Sequence, residues 1–346
     1  MKALVYSDWS KVEVKDVPMP EPKGSEALIK VEACGICGSE LETFKHKSER
    51  RRPPLILGHE FAGKIEFVKE NTLDLRKGQS VIVNSVVSCG ECWYCKKGMA
   101  NLCPKRQVFG MHRPGAIAEY VAVPADFVYP RPANVTAVQG ALAEPLANAV
   151  HMFERLPKEP VSTVGVLGAG PIGLMMLQAA KIYTGCRAIV ADFNLNRLLI
   201  AKEIGAEMIV DVSKEDFVAQ SMAFSGGRGL DLCIDAVGTG ITKAQSLKSV
   251  AAGGTVVWFG LLENKVAIES YELTLNEKRI FGSYSATKKD FEKALQLFAQ
   301  GAIQSKPWVG EFPIDDAEKA FHRMLKAEEN DVKAVILPEQ QNGRTI

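Results

Sequence analysis

The sequence has almost no net charge, no long apolar run and few cysteines for its length. Its 346 residues carry 42 Lys and Arg against 41 Asp and Glu, a formal charge of +1, whereas nucleic-acid-binding domains normally carry a basic excess. No apolar run approaches the roughly 18 residues that a membrane helix needs, and no signal-peptide core follows Met1. We therefore expect a soluble, cytoplasmic protein with no nucleic-acid or membrane partner.

The eight cysteines are too sparse for a disulfide-built scaffold, yet four of them are clustered. Their spacing is Cys89-x2-Cys92-x2-Cys95-x7-Cys103. In a reducing compartment such a cluster indicates metal ligation, and four thiolates suit a tetrahedral zinc with every position filled by protein. A closed site leaves no room for substrate, so we predict a structural zinc. An incidental cluster or a labile redox site is the alternative.

Two patterns divide the chain. Up to about residue 147, short β runs are broken by Gly and Pro, and no long helical periodicity is seen. From about Pro160, apolar strands alternate with amphipathic helices, which implies a parallel sheet. The pattern predicts an α/β protein with a mainly β domain over 1–147, a doubly wound Rossmann domain over 148–286, and a final segment over 287–346.

A glycine motif stands between an apolar strand and a helix in the predicted Rossmann domain. It reads Gly168-Ala-Gly170-Pro171-Ile172-Gly173, and Asp192 follows at the end of the next predicted strand. The glycines let the backbone approach a pyrophosphate, and a carboxylate at this distance binds the adenosine ribose hydroxyls. We therefore predict dinucleotide binding. Asp192 would repel a 2′-phosphate, which favours NAD, although Arg197 nearby can accommodate a phosphate.

Cys37, His59, Glu60 and Glu144 form a second, sparser set of metal-ligand types. A cysteine and a histidine this far apart are more often core residues than ligands. Glu144 favours the interpretation as metal ligands, because it adds a carboxylate just before Pro145, at a predicted helix start close to the domain boundary. Three protein groups plus a water would leave the open position that a catalytic zinc requires.

These motifs together resemble the zinc-dependent medium-chain alcohol dehydrogenases, and within them the polyol branch that includes sorbitol, galactitol-1-phosphate and threonine dehydrogenases. The resemblance implies a catalytic zinc on Cys37, His59 and Glu60, with Glu144 ligating directly or through water. It also implies a GroES-like fold for the first domain, to which residues 287–346 return, and assembly as a homodimer or homotetramer.

The resemblance further implies the reaction: a secondary alcohol of a polyol or sugar derivative gives a hydride to NAD and becomes a ketone. Ser39 matches the family hydroxyl that takes the alcohol's proton. The family's outer relay histidine is replaced here by Glu42, which we take as the candidate outer relay group, with direct exit to water as the alternative. Glu40 stands where the family usually has the aspartate that orients the ligand histidine.

Other functions stay open at this point. The basic run from Lys45 to Arg52, which includes Arg51, favours an anionic substrate such as a polyol phosphate, a sugar acid or a hydroxy amino acid like threonine. A solvated basic loop is the alternative for this run. A non-enzymatic NAD-binding relative would not need the intact ligand set, and a zinc-independent quinone reductase ordinarily lacks both sets.

Overall fold

The computed structural model describes residues 1–69, 74–326 and 332–339. The chain divides into two compact units, one made of Met1–Ala147 with Ala286–Ile346 and the other of Asn148–Ser285. The boundaries predicted from the sequence lie after residues 147 and 286. The predicted final segment extends into 327–331 and 340–346, which lie outside the described residues.

The strands of both units are numbered in chain order. They are β1 (Lys2–Asp8), β2 (Lys11–Asp16), β3 (Glu26–Gly35), β4 (Leu55–Ile56), β5 (Glu60–Phe67), β6 (Ser80–Val83), β7 (Val86–Val87), β8 (Gln107–Val108), β9 (Tyr120–Pro124), β10 (Val128–Pro130), β11 (Thr163–Leu167), β12 (Arg187–Asp192), β13 (Met208–Asp211), β14 (Leu230–Asp235), β15 (Val250–Trp258), β16 (Arg279–Gly282), β17 (Val309–Pro313) and β18 (Lys333–Leu337).

The α-helices are fewer and most lie in the second half of the chain. They are α1 (Gly38–His46), α2 (Trp93–Lys96), α3 (Ala137–Ala141), α4 (Ala143–Arg155), α5 (Pro171–Thr184), α6 (Leu195–Glu203), α7 (Phe217–Phe224), α8 (Gly240–Ser249), α9 (Ser270–Thr274), α10 (Lys288–Ala299) and α11 (Ala317–Lys326). No helix in the described ranges is long and apolar enough to cross a membrane.

The first unit is built on a sheet in which the end of the chain pairs with its beginning. The strand order is β10-β6-β5-β3-β18-β17, and β9 also pairs with β3. β18 runs antiparallel to β3, with Val335 opposite Gly35. Apolar side chains such as Ile29, Phe61 and Ile336 alternate into a core that the helix α11 covers with Phe321. The pairing of β18 with β3 brings the last described strand to the residues just before Cys37.

The second unit, in which every residue is described, contains a parallel sheet of order β13-β12-β11-β14-β15-β16. This is the strand order of a doubly wound dinucleotide-binding fold, and its switch point lies between β11 and β14. The strands are apolar on both faces because helices cover both sides of such a sheet; β11 is buried along its whole length. The predicted Rossmann sheet is confirmed.

Helix α1 is a short helix within the mainly β first part of the chain. Cys37 is its N-cap, and the Cys37 Sγ accepts from the Ser39 N–H. The Glu40 carboxylate accepts from the Cys37 N–H at 3.0 Å, which completes a capping box. A thiol is an unusual cap, so the sequence signal was weak. The helix start therefore holds Cys37 and Ser39 in fixed positions.

Candidate metal and dinucleotide sites

Three of the predicted catalytic ligands converge in the first unit. The Cys37 thiol, the His59 imidazole and the Glu60 carboxylate each offer an atom within 4.8 Å of the others. Cys37 caps α1, and His59 and Glu60 stand at the start of β5. Ligands bound tetrahedrally to zinc at about 2.0–2.3 Å lie about 3–4 Å from one another. The sulfur, nitrogen and oxygen donors and their spacing therefore fit a zinc ion.

Glu144 lies in the first turn of α4 and is buried. It is outside the group of three whose ligand atoms meet within 4.8 Å, and its Oε1 accepts from the Ser85 Oγ at 3.0 Å. Burial, and after it the charge of Glu60, raises the pKa of the Glu144 carboxyl. Two buried carboxylates that repel one another are suited to a cation between them. A direct or water-mediated role of Glu144 on the metal stays a prediction.

Glu40 ties the ligands together. Its Oε1 accepts from the Gly58 N–H at 2.7 Å and lies 3.1 Å from the His59 Nδ1. Burial raises the pKa of Glu40, but His59 and then Arg51 outweigh it and lower the pKa to about 2. An ionised carboxylate only accepts, so the His59 Nδ1 must donate, which leaves Nε2 for the metal. Glu40 is thus placed to orient His59, the predicted ligand, where the family usually has aspartate.

Lys333 is a residue of this site that the sequence reasoning missed. Its Nζ makes an ion pair with the Glu60 Oε2, and both side chains are buried. Burial lowers the pKa of Lys333, yet the charge of Glu60 raises it overall. A Cβ on Gly35 would lie 2.6 Å from the Glu60 Oε2, so a side chain at position 35 would displace the ends of Glu60 and Lys333. The available signal was a lone lysine beginning an otherwise apolar strand.

Arg51 fits neither interpretation of the basic run, as an anion-binding segment or as a solvated loop. Its side chain is only 2% exposed, and it donates to the Ser39 O, the Thr43 Oγ1 and the Gly110 O at 2.8–3.0 Å. A guanidinium buried in this way is unavailable to an anionic substrate. The neighbouring Arg52 is exposed and pairs with Glu49.

The proton-relay candidates lie along α1. The Ser39 Oγ donates to the Cys37 Sγ at 3.3 Å, which places this hydroxyl beside the three predicted zinc ligands. Glu42 lies three residues after Ser39 in α1 and is partly exposed. Its Oε2 lies 3.1 Å from the His46 Nε2. The helix thus brings Ser39 to the ligands and directs Glu42 towards His46.

The four clustered cysteines have the geometry of a closed zinc site. The sulfur atoms of Cys89 and Cys103 lie 3.5 Å apart, those of Cys92 and Cys95 lie 3.5 Å apart, and those of Cys89 and Cys95 lie 4.0 Å apart. Zinc–sulfur bonds of about 2.3 Å in a tetrahedron separate the sulfurs by about 3.8 Å. A disulfide would need about 2.05 Å. Backbone N–H groups of Glu91 and Cys92 lower the pKa of Cys89 to about 6, which favours the thiolate that binds metal.

The glycine motif runs from the end of β11 into the first turn of α5, and each of its three glycines is favoured there for a different reason. Gly168 has a φ of +94°, which favours glycine. A Cβ on Gly173 would lie 1.8 Å from the Gly168 O, so helix and turn pack too closely for a side chain. A Cβ on Gly170 would meet nothing within 4 Å, and Pro171 and Ile172 begin the helix after it. The open space at Gly170 fits the approach of a pyrophosphate.

Asp192 is fixed beside this turn. Its Oδ2 accepts from the Ala169 N–H and its Oδ1 from the Asn194 N–H, both at 2.8 Å. Each carboxylate oxygen keeps a further lone pair for a ribose hydroxyl. Arg197 lies in the first turn of α6, which Asn194 caps. The carboxylate and the glycine turn are therefore held together as one surface of the second unit.

Comparison with known families shows to which family a chain with these three sites belongs. Residues 23–133 match the alcohol dehydrogenase GroES-like domain, and residues 171–300 match the zinc-binding dehydrogenase family. The chain belongs to the zinc-dependent medium-chain alcohol dehydrogenases. The predicted fold, with a GroES-like domain and a Rossmann domain, is confirmed, and the protein is an oxidoreductase that binds zinc and a nicotinamide dinucleotide.

Relatives along the whole chain place this dehydrogenase in the polyol branch. It is 30% identical to sorbitol dehydrogenase of Bacillus subtilis strain 168, over 98% of this chain and 97% of the relative. It is 34% identical to D-arabitol-phosphate dehydrogenase of Enterococcus avium, over 93% of this chain and 92% of the relative. A zinc-binding dehydrogenase from Sinorhizobium meliloti 1021, solved bound to NADP, superposes with a TM-score of 0.89 at 33% identity, over 97% of this chain and 99% of that one.

Proposed function

We propose that this dehydrogenase oxidises a secondary alcohol of a neutral polyol to a ketone, with NAD as the hydride acceptor, two zinc ions per chain and a homodimeric or homotetrameric assembly. The convergence of Cys37, His59 and Glu60 beside the Ser39 hydroxyl carries the proposal. The similarity to a sorbitol dehydrogenase supports the substrate class.

The ligands and the hydroxyl have separate tasks in this reaction. When bound, zinc supplies a Lewis acid that makes an alcohol acidic near neutral pH, and NAD takes the hydride. Cys37, His59 and Glu60 would hold that zinc, and Glu144 would join them directly or through water. The Ser39 Oγ accepts the proton of the alcohol's hydroxyl group, while the alcohol's carbon gives its hydride to NAD. The products are therefore a ketone, NADH and one proton released to solvent.

The contacts made by Arg51 and Arg52 favour a neutral substrate over an anionic one. The Arg51 guanidinium is occupied inside the protein, and Arg52 is paired with Glu49. An anion would therefore meet fewer cations here than the sequence suggests. The arabitol-phosphate relative makes a phosphorylated compound the necessary comparison.

The test is an NAD-linked screen of sorbitol, xylitol, D-arabitol, an arabitol phosphate, a galactonate and L-threonine at low and high salt. We expect a neutral polyol to give the highest kcat/KM at both ionic strengths, and metal analysis to give two zinc ions per chain. The Arg52→Ala variant should leave the ranking unchanged. If the arabitol phosphate gave the highest kcat/KM at low salt and lost that advantage at high salt, the proposal of a neutral substrate would be wrong. If no compound were oxidised, the proposed dehydrogenase activity on these compounds would be wrong.

Cofactor preference depends on the charge of Asp192. We expect the unmodified enzyme to prefer NAD, and Asp192→Asn to reduce that preference by at least roughly tenfold, since the amide keeps the size but removes the repulsion of a 2′-phosphate. The measurement is the ratio of kcat/KM for NAD and NADP. Asp211→Asn is the matched control, because Asp211 pairs with Asp192 in register at the end of the next strand. Equal constants for both cofactors in the unmodified enzyme would contradict the assignment.

We further propose that Glu42 is the outer relay group. Glu42→Gln should then lower kcat by up to roughly 10²-fold, the lower end of what a positioned base contributes. The measurement is kcat with its solvent deuterium isotope effect. Glu49→Gln, which changes an exposed glutamate paired with Arg52, is the control. A Glu42→Gln enzyme with unchanged kcat would mean that the proton leaves Ser39 directly to water.

A further inference from the structure

A buried arginine holds the hydroxyl that is proposed to take the alcohol's proton. The Arg51 Nη2 donates to the Ser39 Oγ at 3.0 Å, and the Nη1 donates to the Ser39 O at 2.9 Å. Arg51 lies in the segment between α1 and β4, and its Nε donates to the Gly110 O at 2.8 Å. One guanidinium therefore binds Ser39 at both its main chain and its side chain, and anchors it to a distant loop.

The chemistry of the guanidinium gives this contact a direction. It has only N–H donors and is not deprotonated in proteins, so the Ser39 Oγ must be the acceptor. A hydroxyl has two lone pairs and one hydrogen. Arg51 occupies one lone pair, and the hydrogen points to the Cys37 Sγ at 3.3 Å. One lone pair is left for the alcohol's proton, and that proton cannot leave through Arg51.

The positive charge of Arg51 also affects the protonation of the Ser39 hydroxyl. A cation 3.0 Å from the Ser39 Oγ disfavours a doubly protonated hydroxyl. As the Ser39 Oγ accepts the alcohol's proton, its own hydrogen must therefore turn from the Cys37 Sγ and pass to solvent, directly or by way of Glu42 as proposed above.

We infer that Arg51 is a positioning residue for proton transfer, which fixes the orientation of the Ser39 hydroxyl and excludes the guanidinium as a route for the proton. This inference rests on the proposed role of Ser39. A merely structural role would be to tie the segment after α1 to the helix, and that role would not depend on the Ser39 hydroxyl.

A double-mutant cycle separates the two roles. Arg51→Met and Ser39→Ala are made singly and together, and kcat and KM are measured with the polyol that has the highest kcat/KM in the screen above. We expect Arg51→Met to lower kcat by roughly 10–100-fold with little change in KM, since it removes a preorganised donor. In the Ser39→Ala background the same change should lower kcat less than about threefold, because the two residues act as one unit.

Further variants guard against a loss of structure. Arg51→Lys keeps the charge without the planar fork and should recover part of the kcat. Arg52→Met, at the exposed neighbour, should leave kcat unchanged. Zinc content and the free energy of unfolding are measured for every variant, and a crystal structure of Arg51→Met should show the Ser39 hydroxyl turned away from the Cys37 Sγ.

The outcomes distinguish the inference from the function on which it rests. Equal losses of kcat in both backgrounds, or an unmoved Ser39 hydroxyl, would overturn the role of Arg51 and leave the dehydrogenase proposal standing. A Ser39→Ala enzyme as fast as the unmodified one would overturn the proposed role of Ser39, and the inference with it.

Discussion

Replacing Cys37 with serine is expected to abolish turnover and leave the fold intact. The substitution removes a thiolate from the three ligands that meet within 4.8 Å. Loss of the Lewis acid costs several kcal/mol of transition-state stabilisation, roughly 10³-fold or more in rate. Serine is nevertheless a better helix N-cap than cysteine, so α1 keeps its start and the unit keeps its stability.

Metal analysis, kcat and thermal unfolding check this expectation together. The Cys37→Ser protein should hold one zinc ion per chain, against two in the unmodified enzyme, and unfold at the same temperature. Cys34→Ala is the matched control, because Cys34 is a buried cysteine of β3 outside the three ligands and should keep both zinc ions. Normal turnover by Cys37→Ser would remove this site from the mechanism.

Replacing Cys95 with serine is expected to unfold the cysteine lobe locally. Helix α2 buries none of its residues, so the lobe has little apolar core of its own and depends on its metal. Losing a ligand at a cost of about 3 kcal/mol would raise the open population roughly 10²-fold. Trypsin cleavage after Lys96 and Lys97 measures that population, since both lysines are exposed in the lobe.

The control for this experiment is Cys186→Ser, the same change at a buried cysteine in the second unit. It should retain two zinc ions and the cleavage rate of the unmodified enzyme. Removing zinc from the unmodified enzyme with a chelator should reproduce the Cys95→Ser pattern. Slow cleavage of a Cys95→Ser protein that still holds two zinc ions would show that the lobe does not need this ligand.

The sequence predicts those parts of the sites whose residues lie close together along the chain. The four cysteines fall within one lobe, and Gly168, Gly170 and Gly173 fall within one turn, so local spacing already fixes their chemistry. Asp192 follows on the neighbouring strand of a regular alternation. In each case the geometry depends on one supersecondary unit, which periodicity and turn residues can indicate.

The residues that the sequence could not assign depend on distant packing. Lys333 reaches Glu60 only because β18 pairs with β3 in one register, and a shift by one residue would turn the lysine to the other face. Arg51 stands in a basic run for which the sequence indicates either an anionic substrate or solvent. Its burial depends on acceptors from α1 and from Gly110, which lie far apart in the chain.

The pairing of β18 with β3 makes completion of the predicted metal site a late event in protein synthesis. The ribosome releases Glu60 long before Lys333, and the whole second unit is made in between. At about 5–20 residues per second that interval lasts roughly 15–55 s. During it the Glu60 carboxylate lacks its cation and the end of β3 lacks a neighbour, so the nascent first unit waits with an open sheet edge. Arrival of the last strand closes that edge and neutralises the Glu60 carboxylate in one step.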